Sequence, residues 1–101
     1  MAGDDAELIR RWRKGDPLAF EALVRRWQGP VLRILTRLLG EKELVEDSSQ
    51  EVFLRVYHAA GRYRENGAFS TWLYRIALNV ARDVAFRLGS GSEISLAVIF
   101  F

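Results

Sequence analysis

Cysteine is absent from this chain of 101 residues, and histidine occurs once, at His58. Without cysteine there is no disulfide framework and no thiolate metal site, and a lone histidine does not make a zinc site. No metal and no cofactor is therefore expected. No apolar run approaches the roughly 20 residues that span a bilayer as a helix. The start of the chain, residues 1–7, is polar and acidic and carries no secretory signal. A cytoplasmic protein without a membrane partner is the expectation. Catalytic signatures are missing too: there is no HExxH, no glycine-rich phosphate loop after a strand, and no Ser-His-Asp set on a plausible scaffold. Glu46 and Asp47 are neighbours, so on a helix their carboxylates point about 100° apart and do not converge for acid–base work. The chain does not read as an enzyme, and His58 reads as a surface residue.

Charge of one sign is also scarce. Fifteen Lys and Arg against 13 Asp and Glu leave a net charge of +2, too little to argue a nucleic-acid partner alone. The distribution is more informative. Residues 1–40 hold eight basic and five acidic groups, residues 41–60 two and five, and residues 61–101 five and three. An acidic segment between two basic ones suits two partners of opposite charge, although solvated helix faces give the same pattern. The length fits one domain. Three Trp, six Phe and three Tyr supply the bulk for a core in so short a chain.

Helical periodicity dominates. Asp4 or Asp5 caps a first helix whose apolar side is Leu8, Ile9 and Trp12, and Gly15 ends it. Asp16 and Pro17 are an N-cap and a first helical residue, where a missing N–H costs nothing. The second helix carries Phe20, Leu23, Val24, Trp27, Val31, Leu35 and Leu39, with Gly40 at its end. Gly29 and Pro30 should kink it or split it into two helices nearly in line. A third helix is expected over residues 44–60. Val45, Ser49, Val52, Phe53, Val56 and Tyr57 form its inner stripe, and Gly61 ends it. A polar loop, RYRENG, leads into a long fourth helix over residues 69–87. There Phe69, Trp72, Leu73, Ile76, Val80 and Val84 recur at steps of three and four and make a core stripe. The expected fold is an all-α bundle of three to four helices over residues 1–88.

Two exposed lines remain. Asp47, Gln50, Glu51 and Leu54 share one face of the third helix. A leucine among acidic and amide groups suits docking to a basic helix with a small apolar patch. A solvated face with one stray leucine is the plainer reading of the same spacing. On the fourth helix, Thr71, Arg75, Asn79 and Arg82 form a second line that no core requires. With Arg62, Tyr63, Arg64, Asn66, Trp72 and Tyr74 they gather guanidinium groups for phosphates, rings for unstacked bases and amides for base edges. Trp72 has core as its plainer reading.

The run DSSQEVFLRVYHAAGRYRENGAFSTWLYRIALNVARD, with KGDPLAFEALVRRW upstream, resembles region 2 of a bacterial RNA polymerase sigma factor of the extracytoplasmic-function group. The likeness covers residues 5–87, and QEVFLRVY followed by FSTWLYRIALN at this separation is its most specific part. It implies an all-helical domain that binds core RNA polymerase and captures the non-template single strand of the minus-ten promoter element. By position it implies contact between Asp47, Gln50, Glu51 and Leu54 and the coiled coil of the largest polymerase subunit. It places the pocket for a flipped base in residues 59–67, with Tyr63 as an aromatic wall and Asn79 as a polar group. Arg75 and Arg82 would follow the strand backbone. An anti-sigma factor is a further candidate partner.

The pattern departs from the family in places. Ser48 and Ser49 stand where apolar residues are usual, which loosens the packing expected there. Members of the family continue into a helix-turn-helix domain that reads the minus-thirty-five element, and the likeness does not extend to it. Residues 89–101 instead read as a Gly/Ser linker and an apolar, β-prone tail, EISLAVIFF, expected to pack on a helical groove or on a second copy of the chain. The alternative function is a helical protein-interaction module, a tail-mediated oligomer or a partner for an anti-sigma-type protein, without DNA recognition. The set Tyr63, Asn79 and Arg75 separates the two, because a pure protein binder has no need of it.

Overall fold

The computed structural model describes residues 4–59, 63 and 68–88. Within them the chain forms helices α1 (Asp5–Arg13), α2 (Pro17–Leu39), α3 (Lys42–Ala59) and α4 (Phe69–Leu88). The first helix starts at Asp4, whose carboxylate accepts the Glu7 N–H at 2.8 Å. It ends at a turn through Gly15, whose φ of +101° suits a residue without a Cβ. Asp16 then performs two tasks. Its Oδ1 accepts the Leu18 N–H at 3.0 Å and caps α2, and its Oδ2 takes Nε and Nη2 of Arg11 at 3.2 and 2.9 Å. The corner between α1 and α2 is therefore held by one carboxylate.

The second helix runs unbroken through Gly29 and Pro30, so the split into two helices expected there does not occur. Proline leaves the carbonyl one turn back without its helical donor. The helix persists because Val31 and Leu35, just beyond it, are fully buried in the core. It ends at Gly40, where φ is +77° and the glycine N–H bonds to the Thr36 carbonyl at 2.9 Å. The third helix starts at Lys42 rather than Leu44. Residues 89–101, with their linker and tail, lie outside the described residues.

All the helices share one core. Leu8 and Ile9 enter it from α1, Leu23, Val31 and Leu35 from α2, Val52 and Val56 from α3, and Leu73 and Val80 from α4. Neighbours in sequence pack on each other, and α2 also packs on α4, so α3 lies against both. Ala77, Ala81 and Ala85 join the expected stripe of α4, while Trp72 and Ile76 sit at its margin, partly buried. Tyr57 of α3 was expected inside but is 54% exposed. Its ring still meets Trp12 and Phe20, each at 5.4 Å between centroids. Asp5 ties α1 to α2 by accepting from Arg26 Nη1 at 2.9 Å and Trp27 Nε1 at 3.0 Å.

The Arg11 hydrogen bond holds the Asp16 carboxyl below its ordinary pKa of 3.8. A lowered folded pKa stabilises the protein above the unfolded value, and that contribution disappears as pH falls through the folded value. Asp16→Asn keeps a capping oxygen and loses the charge. It should be less stable than wild type near neutral pH, with the gap closing below the ordinary carboxylate range. Urea midpoints at successive pH values test this; a gap that stays constant into acid would mean that the ion pair does not contribute.

Candidate functional site

Burial of one side of α4 turns its other side outward. Thr71, Arg75 and Asn79 are exposed, and Arg82 is partly so. The Arg82 Nη1 lies 3.5 Å from Asn79 Oδ1, at the limit of a hydrogen bond. Its Nε is buried and has no partner among the described residues. Its outer guanidinium nitrogens, beside Asn79, are the part of Arg82 placed at the face. Arg75 makes no ion pair among the described residues. The polar line expected on α4 is thus assembled as a face, with donors to spare.

The aromatic end differs from expectation. Tyr63 is only 6% exposed. Its ring packs on Phe69 and Trp72 at 5.7 and 5.2 Å between centroids, and Phe69 packs on Trp72 at 5.7 Å. Phe69 and Trp72 stand one turn apart at the start of α4 and make an apolar notch that draws the ring in. The Tyr63 carbonyl accepts from Nη2 of Arg13, whose guanidinium also lies 6.0 Å from the ring centroid. Among the described residues Tyr63 is therefore packed as a support for Trp72. Arg62, Arg64 and Asn66 lie outside the described residues.

On α3, Asp47, Gln50 and Leu54 are exposed and Glu51 is partly so. They form a ridge with a groove on each side. Asp47 and Glu51 border a groove of about 360 Å³ against Val80 and Val84 of α4. Gln50 and Leu54 border one of about 380 Å³ against Val24 and Gln28 of α2. Ser48 and Ser49 are buried, one beside each groove. Glu51 is not fully available: it bonds Arg55 Nε at 3.0 Å, and Arg55 Nη2 reaches Asp83 of α4 at 2.9 Å. Asp83 first, and Glu51 second, raise the Arg55 pKa above its ordinary value.

Sequence reasoning missed Arg13 and Arg55. The Glu51–Arg55 spacing of four was visible as a helical ion pair, but the reach to Asp83 was not. For Arg13, fifty residues from its acceptor, the sequence holds no local signal. Among the described residues no cluster of side chains could hold a metal ion, and no helix is long and apolar enough to cross a membrane.

The chain is thus a helical bundle with an acidic ridge exposed on α3 and a donor-rich line exposed on α4. The model of the Sigma-70 region 2 family matches residues 23–90. The chain belongs to this family. It is 39% identical over 79 residues to the RNA polymerase sigma-H factor of Pseudomonas aeruginosa and 42% identical over 79 residues to the ECF RNA polymerase sigma-E factor of Escherichia coli K12. Each alignment covers 78% of this chain and 41% of the relative, so the chain spans about two fifths of the length of these curated relatives. The fold is similar to that of an engineered region 2 of sigmaE solved by NMR in complex with GTAAAA, with a TM-score of 0.80 and 38% identity over 90% of this chain and 95% of the other.

Arg13→Ala should destabilise the domain by about 1–2 kcal/mol, somewhat below the roughly 1.5–3 kcal/mol of a hydrogen bond from a charged donor because Arg13 is exposed. Urea unfolding measures this. A change below about 0.5 kcal/mol, within the range of ordinary surface substitutions, would show that the Tyr63 carbonyl needs no such anchor.

Proposed function

We propose that this domain is the promoter-recognition domain of a sigma factor of the extracytoplasmic-function group. It docks on core RNA polymerase through the α3 ridge and captures the non-template strand of the minus-ten element through α4 and the loop before it. The observation that carries this reading is the separation of the two surfaces, acidic on α3 and donor-rich on α4, in a fold similar to sigmaE region 2 in complex with GTAAAA. The exposed Arg75 and Asn79, with Arg82 beside them, favour a partner that offers phosphates and base edges over a purely protein one.

The chemistry is selection, without bond making. Extruding a base costs a few kcal/mol of stacking and pairing, which a fitted pocket must offset. Asn79 offers a donor and an acceptor to one base edge. Arg75 and Arg82 neutralise phosphates on either side of it along the helix. Trp72, backed by Tyr63 and Phe69, supplies a rigid apolar wall at the helix start, and Arg62, Arg64 and Asn66 belong to the loop that would close on the base. The α3 ridge presents Asp47, Gln50, Glu51 and Leu54 to the basic coiled coil of the largest polymerase subunit. An anti-sigma factor would act most simply by competing for this ridge. Such work places the protein in the cytoplasm.

Asn79→Ala should weaken binding to the preferred single strand by about 1–3 kcal/mol, the scale of one good base-edge contact, and flatten discrimination at one position. Arg75→Ala should weaken all sequences about equally and lower the salt dependence. Titration of single-base variants of the strand GTAAAA reads both. If Asn79→Ala retains full base preference, the pocket lies elsewhere. On the other surface, Glu51→Arg and Asp47→Arg should each reduce pull-down by the polymerase coiled-coil fragment, through like charges set against a basic partner. Asp47 has no ion pair among the described residues, so its variant leaves the Arg55 contacts intact; unchanged pull-down with unchanged melting would remove this ridge from the interface.

A further inference from the structure

Four arginines are engaged in ion pairs. Arg11 pairs with Asp16, Arg25 with Glu21, Arg26 with Asp5, and Arg55 with Glu51 and Asp83. Arg33 and Arg37 are exposed and have no carboxylate partner among the described residues. They stand one turn apart on the second half of α2, beside a groove of about 540 Å³ walled by Pro30, Ile34 and Tyr74 and rimmed also by Thr36. No acidic side chain lines it. Neither arginine belongs to the surfaces assigned above.

We propose that this groove between α2 and α4 holds the sugar–phosphate backbone of double-stranded DNA adjoining the melted strand, with Arg33 and Arg37 on successive phosphates. The proposal rests on the reading of α4 as a strand-capture face. Residues four apart on a helix are about 6 Å apart along its axis, a separation comparable to that of neighbouring phosphates on one strand. Two forked donors at this spacing therefore match a phosphate row. Thr36 Oγ1 hydrogen-bonds to the Leu32 carbonyl at 2.7 Å, so the groove's polar rim is otherwise spent within the helix. The ring of Tyr74 is partly buried and meets Trp27 edge-on, at 6.2 Å and 89°. It is braced as a wall of the groove and is the one ring among the described lining residues, whereas unpaired strands are held chiefly by stacking successive bases on several aromatic faces. A duplex offers its backbone and keeps its bases paired, which is what this groove can accept. Tyr74 also precedes Arg75 directly, so the groove borders the strand-capture face.

The test uses the full chain, Arg33→Ala/Arg37→Ala in the same chain, and three probes: the single strand GTAAAA, the same strand extended by a duplex arm, and that duplex alone. Wild type should bind the extended probe several-fold more tightly than the single strand. The double variant should bind the single strand as wild type does and lose the gain from the arm. On the duplex alone, its slope of log affinity against log salt should be shallower by about 2, one unit per lost phosphate contact. Arg33→Gln and Arg37→Gln, which keep side-chain bulk, should each lower the slope by about 1 and decide the matter if the alanine pair melts early. A double variant that keeps the arm's gain and the slope overturns the proposal. So does one that loses pull-down by the polymerase coiled coil while keeping both, because the groove is then a protein surface. If wild type fails to bind the single strand, the strand-capture reading falls. The slope on the duplex alone then still sustains or overturns the groove.

Discussion

Burial of Leu73, Ala77 and Val80 fixes the roll of α4 about its own axis. A helix has one orientation in which these side chains leave water together, and at roughly 25 cal/mol per Å² of apolar surface the alternatives are heavily penalised. Arg75 and Asn79 then have no choice but to face outward, and Arg82 lies at the boundary. The alanines on the buried side let the neighbouring helices approach closely. The donor-rich face of α4 is therefore a consequence of core packing, and its rigidity follows from the same source. Donors held in this way would lose little freedom on binding the proposed strand, so more of their interaction would appear as affinity and selectivity.

The third helix shows a related economy. It is packed on both sides, and what remains outside is a narrow ridge. Buried serines at positions 48 and 49 line the flanking grooves. Arg55 joins Glu51 to Asp83 across the α3–α4 seam. These are exposed pairs, worth little as stability. Their effect is to hold Glu51 in one place beside Asp47. A polymerase helix docking on the ridge would thus meet charges set in position by the domain's own second surface, since Asp83 stands on the helix that carries Arg82.

Aromatic side chains divide between two junctions. Trp12, Phe20 and Tyr57 join α1, α2 and α3, while Trp27, Tyr63, Phe69, Trp72 and Tyr74 join α2 to the start of α4. The second group couples the two proposed DNA surfaces. Trp27 touches both Phe69, which supports the capture wall, and Tyr74, which walls the arginine groove. Asp5 holds the Trp27 indole from α1, and Arg13 holds Tyr63 from the same helix. The short first helix braces the end that carries both proposed DNA surfaces without belonging to either.

Helix order, both aspartate caps, the stripe of α4 and the separation of an acidic from a basic face were legible in the sequence. These are local properties: periodicity and capping involve residues a few positions apart, and the physics that reads them is short-range. Whether α2 would bend at Pro30 or break there was not legible, because local propensity allowed both and only burial of Val31 and Leu35 accounts for one continuous helix. Nor was the fate of Tyr63. A polar loop gives no sign that its aromatic residue will be drawn into a notch formed by a helix that begins six residues later. The contacts of Arg13 with Tyr63 and of Arg55 with Asp83 span 50 and 28 residues. The sequence by itself determined which residues could line a face; the tertiary structure decided which of them remain open to a partner, because burial depends on neighbours that only packing brings together.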